Sequence, residues 1–285
     1  MSITKLGIVG SGIMGSGIAE VAAKSGIEVV LRSRKQETAD AMVTSLERSL
    51  AKQVERGKLE DTAAKEIAGR VTATDDLHSL ADADLVLESV VEDLAVKKEL
   101  FRQLDGVVKA DGILATNTST LPVVELAVTT NRPEQVVGIH FFNPAPMMSL
   151  VEVIAPLTAS AATVDAAKAF AAGCGKDVVE VKDRAGFIVN ALLFPYLNNA
   201  VRMLEAGTAS RDDIDTAMKG GCNFPMGPLA LLDLVGLDTS LSILDALYDE
   251  HKDPNYAAMP LLRRMVTAGQ LGRKSGSGFH DYAKK

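Results

Sequence analysis

Along the first two thirds of the chain, short apolar runs alternate with stretches in which apolar residues recur every three or four positions. The runs Leu6 to Val9, Ile27 to Leu31, Leu85 to Val91, Ile113 to Ala115, Val136 to His140, Leu150 to Ile154 and Val178 to Val181 predict buried strands, with a shorter one at Val71 to Thr74. Between them, Ile13, Ile18, Val21 and Ala22 mark a helix that stops near Gly26. Ala39, Met42, Val43, Leu46, Leu50 and Val54 mark an amphipathic helix over Thr38 to Arg56, with Gly57 at its end. Glu60 to Ala68, Ala95 to Leu104 and Asp165 to Gly173 are further helices. The alternation breaks at Asp183-Arg184-Ala185-Gly186. Beyond it only helical spacing remains: Phe187 to Ala206, with a kink expected at Pro195, then Ile214 to Met218, Leu229 to Leu234, Leu237 to Tyr248 and Leu261 to Ala268. The pattern predicts an α/β domain over residues 1–184, with a helical arm near 36–69, and an all-helical domain over 185–285.

The turn after the first strand is Gly10-Ser11-Gly12-Ile13-Met14-Gly15, a G-x-G-x-x-G sequence set between a strand and a helix. That context makes it a dinucleotide-binding turn: glycines allow the tight bend and the approach of a pyrophosphate, which faces the helix N-terminus. The expected architecture is therefore a Rossmann-type domain followed by a smaller all-α domain. Ser33 lies where an NAD-binding fold usually places Asp or Glu on the ribose 2′-hydroxyl, about twenty residues past the turn. Here the neighbours are Arg32, Arg34 and Lys35. A carboxylate repels a 2′-phosphate, whereas a small hydroxyl beside cations can bind one. Ser33 and Arg34 thus favour NADP(H), with NAD(H) possible.

In an open α/β sheet, ligands sit beyond the carboxyl ends of the strands. Glu92, Asn117 and Ser119 fall there. The run Asn117 to Thr120 can equally be capping ahead of Pro122 and Val123. His140 ends one strand and Glu152 lies within the next, among apolar residues. A buried carboxylate needs a partner, and one on an imidazole fixes its tautomer and makes the other nitrogen a better base. The chain has four histidines, so few candidates compete with His140.

Composition narrows the classes. With 47% apolar residues the chain is globular, and a net charge of −7 argues against nucleic acid as the main partner. No apolar run is long enough to span a bilayer. The first strand begins at once, so no targeting segment is expected. Cys174 and Cys222 have no metal-like spacing, no metal site is expected, and a reduced cytoplasmic protein is the natural reading.

Seven ordered motifs agree: GSGIMGSGIA at Gly10 to Ala19, ESVVED at Glu88 to Asp93, NTST at Asn117 to Thr120, HFFNPAP at His140 to Pro146, DRAGFIVN at Asp183 to Asn190, PMGPLALLDLVGLD at Pro225 to Asp238 and GRKSGSGF at Gly272 to Phe279. Over essentially its whole length the chain resembles the 3-hydroxyacyl-CoA dehydrogenases, in particular the stand-alone bacterial 3-hydroxybutyryl-CoA branch. The resemblance implies reversible oxidation of an L-3-hydroxyacyl-CoA to the 3-ketoacyl-CoA. It makes His140 the catalytic base, Glu152 its orienting acid, and Asn190 and Ser119 contacts to the reacting end of the substrate. It gives Glu92 and Lys97 to the nicotinamide half of the cofactor, with Asn117, Ser119 and Asn143 in the same site. Lys52 and Arg56, four apart on one face of the arm, would reach CoA, although a solvated face is the plainer reading of the pair. It also implies a homodimer through the helical domain. Three positions depart from the family pattern: Ser33 for an acid, Phe224 for a His and His280 for a Tyr. Two other readings keep part of this pattern. A dehydrogenase of free hydroxy or sugar acids would share the fold, and a non-catalytic cofactor-binding protein would not need the His140–Glu152 pair.

Overall fold

The structure is a computed structural model that describes residues 2–282. The chain divides into two units, Met1–Asp183 and Arg184–Lys285.

In the first unit the apolar runs form an eight-stranded sheet: β1 (Lys5–Val9), β2 (Glu28–Arg32), β3 (Val71–Thr74), β4 (Leu85–Glu88), β5 (Ile113–Thr116), β6 (Val136–Phe141), β7 (Leu150–Ala155) and β8 (Asp177–Lys182). Its order is β3-β2-β1-β4-β5-β6-β7-β8. The first six strands are parallel, β7 runs antiparallel to β6, and β8 is parallel to β7. β4 to β6 are buried along their whole length, which is why they read as continuous apolar runs without alternation. The helices are α1 (Ile13–Lys24), α2 (Gln36–Glu55), α3 (Asp61–Gly69), α4 (Leu94–Val107), α5 (Val123–Ala127) and α6 (Ala161–Gly173). α2 and α3 make the helical arm, and Met42, Leu46, Leu50, Ala64 and Ile67 bury its apolar stripe in the main core with α1 and the sheet. The chain order reverses between β1 and β4, so a crevice opens at their carboxyl ends.

Two boundaries differ from the apolar pattern. The run Leu85 to Val91 stops being a strand at Glu88, and Val91 is exposed. Ser89 still donates its N–H to Val9, but the Val90 N–H turns back onto the Glu88 carboxylate at 2.6 Å and ends the ladder. α6 starts earlier than its apolar spacing shows, because the Ser160 hydroxyl caps it through the Thr163 N–H.

The second unit is helical: α7 (Val189–Glu205), α8 (Arg211–Cys222), α9 (Pro228–Val235), α10 (Leu237–His251) and α11 (Pro260–Thr267). α7 runs through Pro195. Phe194, Leu197, Val201, Leu229, Leu232, Leu244, Leu247 and Leu262 form its core. Two buried carboxylates tie this unit together. Asp215 accepts from the Leu229 and Ala230 N–H groups at the start of α9 and bonds His280 Nε2 at 2.8 Å. Asp233 accepts from the Phe279 and His280 N–H groups and the Tyr282 hydroxyl. The departing His280 is thus a structural tie, and Phe224 packs edge-on against Tyr196. Among the described residues no helix is long and apolar enough to cross a membrane.

Candidate active site

Antiparallel pairing sets His140 of β6 directly opposite Glu152 of β7. The two side chains therefore leave the same face of the sheet. His140 Nδ1 lies 2.8 Å from Glu152 Oε2, and the two residues are 4% and 0% exposed. An ionised carboxylate can only accept, so Nδ1 carries the proton and Nε2 presents its lone pair. Nε2 lies 3.1 Å from the Ser119 hydroxyl, on the segment after β5. Phe142 packs against the imidazole at 4.6 Å between ring centres. Asn117 anchors the end of β6, its Oδ1 accepting the Phe141 N–H at 2.8 Å.

This serine–histidine–carboxylate array resembles that of acyl-transfer enzymes, but the surroundings do not suit that chemistry. An acyl oxyanion needs N–H donors aimed at it. The Ser119 N–H is spent on the Glu92 carboxylate at 3.0 Å, and the Thr120 and Leu121 N–H groups point to the Thr118 hydroxyl. A carboxylate at that place repels a developing oxyanion. What remains is an oriented base able to move a proton to and from an oxygen held near Ser119.

Beside it lies a charge cluster of Glu88, Glu92 and Lys97. Glu92 and Lys97 meet at 3.1 Å, but the Lys97 ammonium is buried and lies closer, at 2.6 Å, to Glu88. Glu88, fully buried at the end of β4, also accepts from the Thr116 hydroxyl at 2.7 Å. Burial would raise the Glu92 carboxyl. The Lys97 ammonium, the Thr118 hydroxyl and the Ser119 N–H outweigh it and hold Glu92 below the ordinary carboxylate range. Lys97 touches a ligand poorly from this position and orients Glu92 well. The run Asn117 to Thr120 does not cap α5; the Val123 and Val124 N–H groups go to the Asp183 carboxylate at 2.9 and 2.7 Å. Glu88 and Thr118 fall within the quoted motifs, yet neither they nor Thr116 receives a role from the sequence pattern. A carboxylate inside an apolar run is the available signal, since a buried charge requires a partner.

The glycine turn fits a dinucleotide. Gly10 has φ of +135°, and a Cβ there would lie 2.2 Å from the Ser89 carbonyl oxygen; at Gly15 it would lie 2.5 Å from the Gly10 oxygen. At Gly12, the N-cap of α1, a Cβ would meet nothing within 4 Å, so the cradle is open on the ligand side. No side chain caps α1, which leaves its first N–H groups available to phosphate. Ser11 and Ile13 are exposed and Met14 is half-buried. At the end of β2, Ser33 is buried and its N–H bonds Thr74 O at 3.0 Å. Arg32 donates to the Asp75 carbonyl, whereas Arg34 is exposed.

A cleft of about 380 Å³ lies between α1, α2 and the loop after β6. Thr38, Ser45 and Ser49 line it from α2, Gly17 and Glu20 from α1, and Pro144 to Pro146 from the loop. Lys52 and Arg56 are exposed and continue the same helical stripe past Ser49. Ser45 and Ser49, four apart, are cleft residues that the apolar pattern does not show. Glu20 bonds Lys24, Ser49 and Gln53 and so braces α1 to α2. Asn143 is exposed at the head of the loop, and Asn190 is the second residue of α7, 9% exposed.

A glycine turn open to a dinucleotide and an imidazole oriented by a carboxylate thus lie at the carboxyl ends of strands of one sheet. The family model of the 3-hydroxyacyl-CoA dehydrogenase NAD binding domain matches residues 5–184, and that of the 3-hydroxyacyl-CoA dehydrogenase C-terminal domain matches residues 186–282. The chain belongs to the 3-hydroxyacyl-CoA dehydrogenase family, whose members are oxidoreductases. It is 48% identical over 287 residues to 3-hydroxybutyryl-CoA dehydrogenase of Mycobacterium tuberculosis, covering 99% of each chain. It is 47% identical over 280 residues to 3-hydroxybutyryl-CoA dehydrogenase of Clostridioides difficile, covering 98% of this chain and 100% of that one. Among solved structures, (S)-3-hydroxybutyryl-CoA dehydrogenase from Ralstonia eutropha superimposes with a TM-score of 0.97 at 40% identity, covering 99% of this chain and 100% of that one.

Proposed function

We propose that the protein interconverts a short-chain L-3-hydroxyacyl-CoA, 3-hydroxybutyryl-CoA, with the 3-ketoacyl-CoA, acetoacetyl-CoA, using NADP(H) in preference to NAD(H). The observation that carries the reaction is the Ser119–His140–Glu152 array. His140 Nε2 takes the proton of the C3 hydroxyl, and Glu152 supports the imidazolium that results. In reduction the same nitrogen returns the proton. The nicotinamide supplies the hydride acceptor or donor at C3. Ser119 holds the C3 oxygen on His140, and the family motif assigns Asn190 to substrate binding. Such positioning lowers the barrier by fixing the approach of the reacting atoms. Glu92, held ionised by Lys97, accepts from the nicotinamide half, and Asn117 and Asn143 contribute to cofactor binding. The cleft beside α2 takes the CoA arm, whose phosphates meet Lys52 and Arg56.

The cofactor preference rests on Ser33 and Arg34. With Arg32 engaged on Asp75, Arg34 is the exposed guanidinium next to the buried Ser33, suited to a 2′-phosphate. Exposed Leu192, Met203, Phe224 and Leu234 on the helical unit support a homodimer through that domain. The deciding experiment measures steady-state reduction of acetoacetyl-CoA with NADPH and NADH. Higher kcat/KM with NADPH is expected, and higher kcat/KM with NADH refutes the cofactor assignment. Wild-type activity in His140→Gln refutes the catalytic one.

A further inference from the structure

The cleft beside α1 has two helical sides, one loop side and an end formed by Ser11 and Gly12 of the glycine turn. The loop, residues 143–149, joins the strand of His140 to the strand of Glu152. Most of it is exposed, and Met147 is 81% exposed. A segment burying so little apolar surface moves unless polar ties hold it. Inside the loop the Met147 and Met148 N–H groups close onto the Pro144 carbonyl at 2.9 and 3.1 Å. On the cleft side it approaches α1 closely: a Cβ at Gly17 would stand 3.2 Å from Pro146 Cδ and 3.3 Å from Ala145 Cβ.

The tie on the other side is Lys176, immediately before β8. Its Nζ donates to the Ala145 carbonyl at 2.7 Å and the Met148 carbonyl at 2.8 Å. The next residue continues the join, the Asp177 N–H bonding Ser149 O at 2.8 Å. Lys176 is half-buried, and its ammonium is satisfied by main-chain carbonyls instead of a carboxylate. Burial and the positive charge of Lys24 lower its pKa. An ammonium spent in this way is aimed at the loop's shape, because one group bridges both ends of a four-residue turn.

We propose that Lys176 is a positioning residue for the reaction: its ammonium clamps the 143–149 loop as the fixed wall of the cleft and thereby sets the affinity for the CoA ester. A preformed wall spares the ligand the entropy of ordering the loop on binding, so the clamp acts on KM more than on kcat. This rests on reading the cleft as the CoA site.

The test compares wild type, Lys176→Met, Lys176→Arg and Arg56→Ala by acetoacetyl-CoA kinetics and by amide hydrogen exchange at Met147 and Met148. Lys176→Met keeps most of the apolar stem and removes the donors. It is expected to raise KM about tenfold with kcat within about twofold, and to speed exchange at both amides by about tenfold or more. Lys176→Arg, which can also donate to two carbonyls, is expected to restore both readouts. Unchanged KM and unchanged exchange in Lys176→Met overturn the clamp. Lower thermal stability with unchanged KM also overturns it, since that marks a merely structural lysine. Unchanged KM in Arg56→Ala refutes the CoA reading of the cleft, while exchange at Met147 and Met148 still decides whether Lys176 holds the loop. Should Lys176→Met not fold, Lys176→Gln, with a shorter neutral donor, is measured in its place against the same outcomes.

Discussion

Replacing Glu152 by Gln changes one charge in the centre of the site and almost no volume. Glu152 is fully buried and 2.8 Å from His140 Nδ1. A hydrogen bond to a charged group contributes about 1.5–3 kcal/mol. When His140 takes the substrate proton, the imidazolium and the carboxylate become an ion pair with charge centres about 4 Å apart, worth at most about 4 kcal/mol at an effective dielectric constant near 20. At about 1.4 kcal/mol per decade, these bounds give a fall in kcat/KM of about tenfold to a thousandfold. A neutral amide adds a second fault, because its NH₂ group can donate to Nδ1 and move the imidazole proton to Nε2, the atom that has to accept the substrate proton. The loss should therefore fall towards the upper bound. The assay is acetoacetyl-CoA reduction followed by absorbance of the reduced cofactor, with circular dichroism and a thermal melt of the same sample. The folded structure should survive, since Gln fills the same space and removes a desolvated charge. A correctly folded Glu152→Gln enzyme within about threefold of wild type refutes the reasoning.

Two further outcomes test the physics around the site. Lys97→Met leaves the buried Glu88 carboxylate without its cation and should cost about 3–5 kcal/mol in denaturant unfolding. Glu88→Gln should cost less because Lys97 keeps Glu92 at 3.1 Å, and the double variant should recover much of the Lys97→Met loss; a double variant as unstable as the sum of the two singles refutes the buried pair. Asp84 accepts from the Thr4 and Lys5 N–H groups and bonds Lys109 at 2.6 Å, and these partners outweigh its burial and hold its carboxyl far below the ordinary value of 3.8. A lowered folded pKa means stability that is present above pH 3.8 and lost as pH falls below it. Asp84→Asn should therefore flatten the acid limb of stability measured by urea unfolding, and an unchanged acid limb refutes the assignment.

The apolar pattern by itself determined most elements, because each strand of a covered sheet must be apolar and each helix must carry a stripe. It also set the glycine turn after β1 and the change to all-helical spacing beyond Gly186. It misjudged ends governed by side-chain hydrogen bonds, such as Glu88 closing β4 and Ser160 starting α6, since those bonds leave no trace in hydrophobicity. The strand pattern singled out His140, Glu152 and Ser119 and the family motifs gave them roles, but neither showed the bond from Ser119 to His140 Nε2. Only the tertiary structure decided that Glu88 and Thr116 stand side by side on β4 and β5, that Lys97 turns inward to Glu88, and that Lys176 crosses to the loop after His140. A chain's pattern states which face a residue takes and leaves its neighbours open. The register of β6 and β7 decides the rest: a slip of one residue would send Glu152 to the opposite face and leave His140 without its carboxylate.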